Sequence, residues 1–345
     1  MSELSTMLSA SVTRLFEDLA RREVLEAAEE GTWPAELWKA LEETAVTQAL
    51  VSEDAGGVGA SWSDVEGVLR AAGRHTAPVP LAETIVAAWL CSQTGLEVPD
   101  GILTLAPTAG VEVRNGQATG SLGRVPWGAR ASVVATEALV DGSTSLVLLE
   151  VAQAEVSAGE NLAREPRDDL SFEAASVLAS APFRGGLSAG AVEQYGALAR
   201  ASQMTGALEH LLAESVRFAN DRVQFGRPIG KFQAIQHQLA VLASETAAAG
   251  AASAAACSAT ESDDSAFHIA VAKSRAGEAA GIGAKIAHAS HGAIGFTYEH
   301  ALHFATRRLW SWRAEFGAEA VWNDRLGQQA MDRGADSLWS DLTAR

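Results

Sequence analysis

The pattern of apolar and polar positions divides the chain into a helical zone, a β-rich zone and a second helical zone. Near the start, VTRLFEDLARREVLEAAEE and PAELWKALEE carry apolar residues three and four positions apart, the spacing of one face of a helix. Ser61 or Ser63 is expected to cap a further helix that follows a glycine loop. We predict an N-terminal helical domain over residues 1–101.

From residue 102 to residue 185 the pattern changes to short β-rich runs separated by turn residues. VEVR, ASVVATEAL and STSLVLLEVA are typical of strands. Asn115-Gly116, between VEVR and QATG, is the clearest hairpin signal in the chain. Several short strands at this close spacing predict a small β sandwich or barrel over residues 102–185.

Beyond Gly190 the helical period returns in segments far longer than an average helix. The predicted helices cover residues 191–221, 231–259, 264–290 and 298–315. Four long helices with short links are typical of an antiparallel bundle, so residues 186–345 form the third predicted domain. The predicted fold class is therefore mainly α with a central β domain.

Composition and charge limit the partners. The 345 residues include 43 acidic and 26 basic side chains, a formal net charge of -17. Nucleic acid and anionic membrane surfaces favour a basic face, so neither is expected as a partner. The sequence contains no run of 18 uninterrupted apolar residues, so no membrane span is predicted. The N-terminus lacks the pattern of a signal peptide. We expect a cytoplasmic protein.

Three cations gather in one interhelical turn of this acidic chain. In FANDRVQFGRPIGKFQAIQHQLA, Arg222, Arg227 and Lys231 surround Gly226 and Gly230. A turn that brings positive charge to the start of a new helix is a place where an anion can bind. The alternative is a solvated turn in which the cation only complements the dipole of the preceding helix.

A second glycine segment, AHASHGAIGFTYEHALHFATRR, places Gly292 and Gly295 ahead of a helix predicted to start near Thr297. Its histidines form two pairs at a spacing of three, which raises the possibility of a metal site. A dinuclear carboxylate bundle needs Glu-x-x-His on two helices, and the bundle sequence contains none. With no cysteine pair for zinc either, we expect no metal.

Together these segments resemble the acyl-CoA dehydrogenase family of flavoproteins over nearly the whole chain. DRVQFGRPIGKFQAIQHQLA is similar to the family motif Arg-x-x-Phe-Gly-x-x-Ile followed by Phe-Gln. HGAIGF is similar to its His-Gly-Gly-x-Gly-Phe segment, with Ala293 as the second residue of the glycine pair. LWKALEETAVTQALVSEDAGGVGASWSDV is similar to its N-terminal helical signature. The resemblance implies three domains in the same order, with FAD as the cofactor.

The resemblance also implies the cofactor-binding residues. In the family, the Arg-x-x-Phe-Gly turn reaches across a subunit interface to the pyrophosphate of an FAD bound mainly by the neighbouring chain, which implies an oligomer. The residues that match are Arg222, Gln224 and Phe225, with Phe232 and Gln233 on the adenosine side and Ser290, His291 and Gly292 near the ADP part.

The reaction implied by the resemblance is the α,β-desaturation of an acyl-CoA thioester, in the degradation of fatty acids or steroid side chains. A carboxylate removes the α proton, the flavin accepts a hydride from the β carbon, and an electron-transfer flavoprotein commonly reoxidises the flavin. The base must be a well-placed carboxylate with a raised pKa.

The position of this base is where the sequence departs from the family pattern. Many relatives carry Glu-Gly about twenty residues after the glycine segment, and the ungapped count here reaches Phe316-Gly317, with Glu315 one residue early. Glu315 is therefore the candidate base, although one residue turns a helical side chain by about 100°. Other relatives place the glutamate in the first bundle helix, where the count reaches Gly196 and the nearest carboxylate is Glu193.

The central domain also departs from the pattern. LTLAPTAGVEV is shorter than the family's flavin-contacting loop, and PWGARAS keeps only Trp127 of a Trp-Ile-Thr-like contact. These losses resemble the shorter chain of heteromeric actinobacterial acyl-CoA dehydrogenases, whose partner carries the base. The implied function is an acyl-CoA dehydrogenase, as a homo-oligomer or as the supporting subunit of a heterotetramer with a second such chain. The alternative is a catalytically silent interaction subunit with no flavin of its own.

Overall fold

The structure, a computed structural model, describes residues 2–344. Within that range the helices before the first strand are α1 (Glu3–Leu19), α2 (Arg22–Glu29), α3 (Ala35–Glu43), α4 (Trp62–Arg74) and α5 (Leu81–Thr94). The cap predicted at Ser61 or Ser63 is confirmed at Ser61. Its hydroxyl accepts from the backbone N–H of Asp64, whose carboxylate accepts from the backbone N–H of Ser61. This reciprocal pair fixes the start of α4.

The β-rich zone forms a sheet. Its strands are β1 (Leu103–Leu105), β2 (Val111–Arg114), β3 (Gln117–Pro126), β4 (Val133–Val140), β5 (Ser143–Glu150), β6 (Glu155–Ser157) and β7 (Arg167–Pro182). The order is β1-β4-β5-β7-β3-β2 with β6 beside β7, and β1 runs parallel to β4. The predicted hairpin is confirmed, because Asn115 and Gly116 both have positive φ and join β2 to β3.

The second helical zone follows the sheet. It contains α6 (Ala191–Asp221), β8 (Val223–Gln224), β9 (Arg227–Pro228), α7 (Gln233–Ser258), α8 (Ser265–His291), α9 (Leu302–Trp312), α10 (Glu319–Arg333) and α11 (Leu338–Ala344). The helices predicted over 191–221, 231–259 and 264–290 are confirmed to within two residues at each end. The mainly α fold with a central β region is as predicted.

The fourth predicted helix, over 298–315, is wrong at both ends. Gly292 ends α8 with φ 65° and ψ -145°, and a 3-10 turn follows over Gly292–Phe296. The hydroxyl of Thr297 then donates to the carbonyl of Ile294, so this residue closes the turn instead of starting a helix. The helix itself, α9, begins at Leu302 and ends at Trp312.

Apolar side chains from both helical zones and from one face of the sheet form a shared core. Along β4 the side chains alternate: Val133 and Ala135 belong to this large core, whereas Val134 and Ala138 belong to a smaller core on the other face. The three-domain division stays a prediction, because the helical zones at the two ends of the chain pack into the same interior.

Within residues 2–344, α7 is long and apolar enough to cross a membrane by length and composition, and 28% of its most apolar window is buried. The expectation of no membrane span rested on uninterrupted apolar runs, and Gly250 and Ser253 do interrupt the apolar run within this helix. The buried positions Leu242, Thr246 and Ala249 follow one stripe along α7, as in a bundle helix packed on its neighbours.

A buried network of ion pairs connects the helices to the sheet. Glu315 lies in the turn between α9 and α10, and its carboxylate accepts from Arg167 Nε at 2.7 Å and from Arg200 Nε at 2.8 Å. Arg167 begins β7 and Arg200 lies in α6, where it also pairs with Glu83 of α5. Each of these four side chains is at most 9% exposed.

Glu165, just before β7, extends the network to α9. Its carboxylate accepts from Arg167 at 3.0 Å and from Trp312 Nε1 at 2.9 Å, and it lies 3.1 Å from Arg308 Nε. The network thus sets three arginines against three glutamates with no net charge. Because a buried charge without a partner costs several kcal/mol, all these elements must come together for the network to form.

Replacing one member tests how far the fold depends on this network. We expect Glu315→Gln to lower the free energy of unfolding by about 3–5 kcal/mol, because two buried guanidinium groups lose their shared anion. Urea unfolding near neutral pH measures it. The matched control is Glu193→Gln, which breaks a partly exposed pair with Arg325 and should cost about 1 kcal/mol or less. An equal loss of unfolding free energy in the two variants would contradict the view that the fold depends on the buried network.

The network also predicts the behaviour in acid. Burial acts to raise the pKa of the Glu315 carboxyl, but Arg167 and Arg200 beside it lower that pKa well below its ordinary range. The folded pKa lies below the unfolded value of about 4.3, so the pairs add stability above that pH and lose it as the pH falls further. Between about pH 5 and about pH 3, we expect the native chain to lose more stability than Glu315→Gln. Urea unfolding at each pH measures the two stabilities, and an equal loss in the native chain and in Glu315→Gln would refute this.

Candidate cofactor site and the positions of the base

Two segments far apart in the sequence line a cavity of about 720 Å³. The first is the turn from Arg222 to Ile235, and the second is the end of α8 with the glycine turn after it. The predicted site residues on the cavity wall are Arg222, Gln224, Phe225, Phe232, Ser290, His291 and Gly292. Gln233, the remaining one, is the exposed first residue of α7 and is not on this wall. FAD binding by these residues stays a prediction.

The turn that presents Arg222 is a small hairpin. β8 pairs with β9, and the tip residues Phe225 and Gly226 both have positive φ. Phe225 is 90% exposed, and its ring lies 6.1 Å from that of Phe232. A non-glycine residue with positive φ and an exposed aromatic ring is unfavourable in isolation, so Phe225 is a candidate for contact with a ligand or another chain.

The other wall contains polar atoms that are buried without a hydrogen-bond partner. They are Ser290 Oγ and His291 Nε2, and both residues are only 5% exposed. Gly292 follows with φ 65°, and a Cβ added there would meet open space. Because buried polar atoms are nearly always hydrogen-bonded, these two atoms fit a polar ligand in the cavity.

The His291 ring is held on several sides. Its Nδ1 is 2.8 Å from the carbonyl of Ala287, the ring stacks on Phe218 at 4.4 Å, and the ring of His300 lies 4.7 Å away. Burial lowers the pKa of His291. Phe218, which also lines the cavity, was not predicted from the sequence, although it lies four positions before Arg222, about one helical turn away.

The histidines of the two pairs that suggested a metal site make hydrogen bonds and ring contacts within the protein. His288 Nε2 lies 3.0 Å from the hydroxyl of Thr306, and its ring is stacked between Phe296 and Trp310. Among residues 2–344, no group of three or more histidine, cysteine or acidic side chains is arranged to hold a metal ion.

The two positions that the family resemblance offers for the base, Phe316 and Gly196, meet in the structure. Phe316 is 3% exposed with φ 52°, and its ring packs on Gly196 of α6. A Cβ added at Gly196 would come 2.4 Å from that ring, so the contact requires glycine. Neither position holds a carboxylate, and an aromatic ring fills the space between them.

The carboxylate of Glu315, the candidate base, is fully engaged in the ion network. Besides its two arginines, it accepts from Asn161 Nδ2 at 3.2 Å. A general base works best with a pKa near the operating pH, whereas here the pKa is far below it. These contacts favour a structural carboxylate and oppose the predicted catalytic role. Glu193, the other candidate, pairs at the surface with Arg325 at 2.6 Å.

Lys273 of α8 fixes the turn that carries Glu315 and Phe316. Its Nζ donates to the carbonyls of Arg313 at 2.9 Å and Gly317 at 2.6 Å. Burial lowers the pKa of Lys273 to about 7. No sequence motif marks this residue, because its partners are backbone atoms forty or more positions away.

Trp127, which the resemblance matches to a flavin-contacting tryptophan, is packed inside the protein. It is 7% exposed with φ 56°, and its ring lies 5.9 Å from that of Trp33 in the N-terminal helical zone. The guanidinium of Arg130 lies over the Trp33 ring, 5.6 Å from its centre. The tryptophan therefore contributes to the packing between the first helices and the sheet.

Known proteins with a similar sequence or fold agree with this arrangement. The model of the acyl-CoA dehydrogenase C-terminal domain matches residues 191–331. Acyl-CoA dehydrogenase FadE34 of Mycobacterium tuberculosis is 33% identical over 289 residues, which are 80% of this chain and 39% of that protein. Acyl-CoA dehydrogenase IpdE2 of Mycolicibacterium smegmatis is 28% identical over 313 residues, 89% of this chain and 93% of that protein.

A solved structure has a similar fold over almost the whole chain. A chain of the ChsE4-ChsE5 complex from Mycobacterium tuberculosis superposes with a TM-score of 0.87 at 22% identity, covering 95% of this chain and 97% of that chain. The chain spans well under half of FadE34 but nearly all of IpdE2. From the matched sequence, the matched fold and the two motifs that meet at the cavity, the chain belongs to the acyl-CoA dehydrogenase family.

Proposed function

We propose that this chain is the supporting subunit of a heteromeric, FAD-dependent acyl-CoA dehydrogenase. The observation that carries the proposal is the contact between Phe316 and Gly196, because it leaves both base positions without a carboxylate. The base that removes the α proton of the acyl-CoA thioester then comes from a second chain of the same family. This chain contributes the nucleotide end of the cofactor pocket.

The cavity wall offers suitable chemistry for that end of FAD. The guanidinium of Arg222 would bind the pyrophosphate, with charge-assisted hydrogen bonds. The hydroxyl of Ser290 and the open backbone at Gly292 would donate further hydrogen bonds to it, and the Phe232 ring would cover the adenosine side. When bound, FAD supplies the hydride acceptor of the reaction. The role of this chain is to hold and orient the nucleotide end.

Two comparisons support a second chain. The ChsE4-ChsE5 structure is a complex of two named chains of which one shares this fold. The match to FadE34 covers 39% of that protein and leaves most of it outside the match. Phe225 supports the same proposal, since its ring lines the cavity and is nevertheless exposed, as expected of a side chain that a second chain would cover.

A silent interaction subunit that contacts no flavin is the second candidate function. The closed space around Phe316 and the packed Trp127 favour it, because both features remove contacts that a flavin of its own would need. The two candidates differ in whether Arg222 binds the cofactor of the partner. For the remaining properties, we propose a cytoplasmic location and an electron-transfer flavoprotein as the oxidant, from the family resemblance.

The flavin content of the purified chain tests the proposal. We expect the chain expressed alone to be colourless and inactive with acyl-CoA substrates, because it lacks a base and half of the cofactor pocket. Co-expressed with a second family chain encoded beside it, the complex should contain FAD and be reduced by an acyl-CoA. Visible absorbance measures both the FAD content and its reduction. A chain that alone holds one FAD and is reduced would contradict the proposal, and Glu315→Gln and Glu193→Gln would then identify its base.

The cation in the turn gives a second test. Arg222→Ala should lower the FAD retained by the assembled complex at least about tenfold, because a charge-assisted contact is worth about 1.5–3 kcal/mol. Arg227→Ala is the matched control. Its guanidinium lies 4.2 Å over the Phe232 ring, and it is not on the cavity wall, so the complex should keep most of its FAD. Full retention in Arg222→Ala would favour the silent interaction subunit.

A further inference from the structure

The unpartnered nitrogen of His291 indicates which part of a bound nucleotide lies beside it. This inference rests on the proposed function, since it concerns the ligand of the same cavity. Nδ1 is 2.8 Å from the carbonyl oxygen of Ala287. A carbonyl oxygen can only accept a hydrogen bond, so Nδ1 carries a proton. In the neutral ring, Nε2 then has a lone pair and no proton.

The surroundings keep the ring neutral near physiological pH. Glu214 on α6 favours the protonated ring, whereas His300, in the turn before α9, and His288, on α8, oppose it. Arg222 adds a fixed positive charge on the wall of the same cavity. With the ring 5% exposed and stacked on an aromatic neighbour, burial disfavours the cation further.

A neutral ring fixed in this way can only accept at Nε2. A phosphate oxygen has no proton to donate, so beside Nε2 it would leave both the nitrogen and the oxygen without a hydrogen bond. A ribose hydroxyl or the amino group of adenine can donate. We propose that Nε2 of His291 accepts a hydrogen bond from the nucleoside part of the dinucleotide, and that Arg222 and the hydroxyl of Ser290 take the phosphates.

Nucleotide analogues separate the two possible donors. At a fixed pH of about 8, above the ordinary range of histidine, the full-length chain is titrated calorimetrically with ADP, IDP, 2′-deoxy-ADP and 3′-deoxy-ADP. IDP lacks the amino group, and each deoxy analogue lacks one hydroxyl. We expect one analogue to bind about tenfold more weakly than ADP, the effect of losing one hydrogen bond in a buried site.

Two variants assign that loss to the histidine. His291→Phe keeps a ring that can stack on Phe218 but removes the acceptor, so it should bind ADP and the weak analogue equally. His291→Gln restores an acceptor and should recover part of the discrimination. His237→Gln, at an exposed site on α7 away from the cavity wall, serves as the control for loss of an imidazole. Thermal unfolding of each variant separates loss of binding from loss of folding.

The pH dependence gives an independent result. ADP-ribose is the probe, since its pyrophosphate has no titrating proton near neutral pH. Native affinity should fall as the pH drops through the titration of the ring, below the ordinary value of about 6.5, because protonated Nε2 can no longer accept. His291→Gln should not show this fall. Tighter binding in acid would mean that the ring donates to a phosphate, and would overturn the inference.

Two other results would also overturn it: unchanged ADP affinity in His291→Phe, or no binding of any probe by the chain. Neither decides the proposed function. That function fails if Arg222→Ala keeps its FAD in the assembled complex, an outcome that does not depend on His291.

Discussion

The packing of this protein depends on a set of charges that cannot be buried separately. Three arginines and three glutamates meet where α5, α6 and α9 reach the start of β7. Each member would be costly in an apolar interior if its partner were absent. The N-terminal helices, the sheet and the bundle are therefore coupled through one electrostatically balanced point, in addition to the large apolar core that they share.

The two regions considered for function differ in what fills them. In the first, the turn after α9 is held by Lys273 and by Glu315, and Phe316 packs against Gly196. In the second, the ends of α6 and α8 line a cavity in which two buried polar atoms lack partners. One region is filled by side chains of the chain itself, and under the proposed function the other is completed by the nucleotide end of the cofactor.

Much of the fold and part of the site were predictable from local sequence. Long helices, the Asn115-Gly116 hairpin and the Ser61 cap depend on neighbouring residues, so their patterns are visible in the sequence. The cavity was predictable because its two walls carry motifs. The role of Glu315 was not, since its arginine partners lie 115 and 148 positions away. Thr297 was misassigned because a 3-10 turn and a helix start have similar local composition.

The contact between Phe316 and Gly196 has an evolutionary consequence. A carboxylate in place of the Phe316 ring would add a negative charge beside Arg200 and a network that is already neutral, and removing one partner of the existing pairs would leave a buried charge unmatched. Recovery of an independent active site therefore requires several coordinated substitutions, with unstable intermediates between them. Once a lineage has reached this packing, an active site at these positions is difficult to recover, and under the proposed function each chain would then depend on the survival of the other.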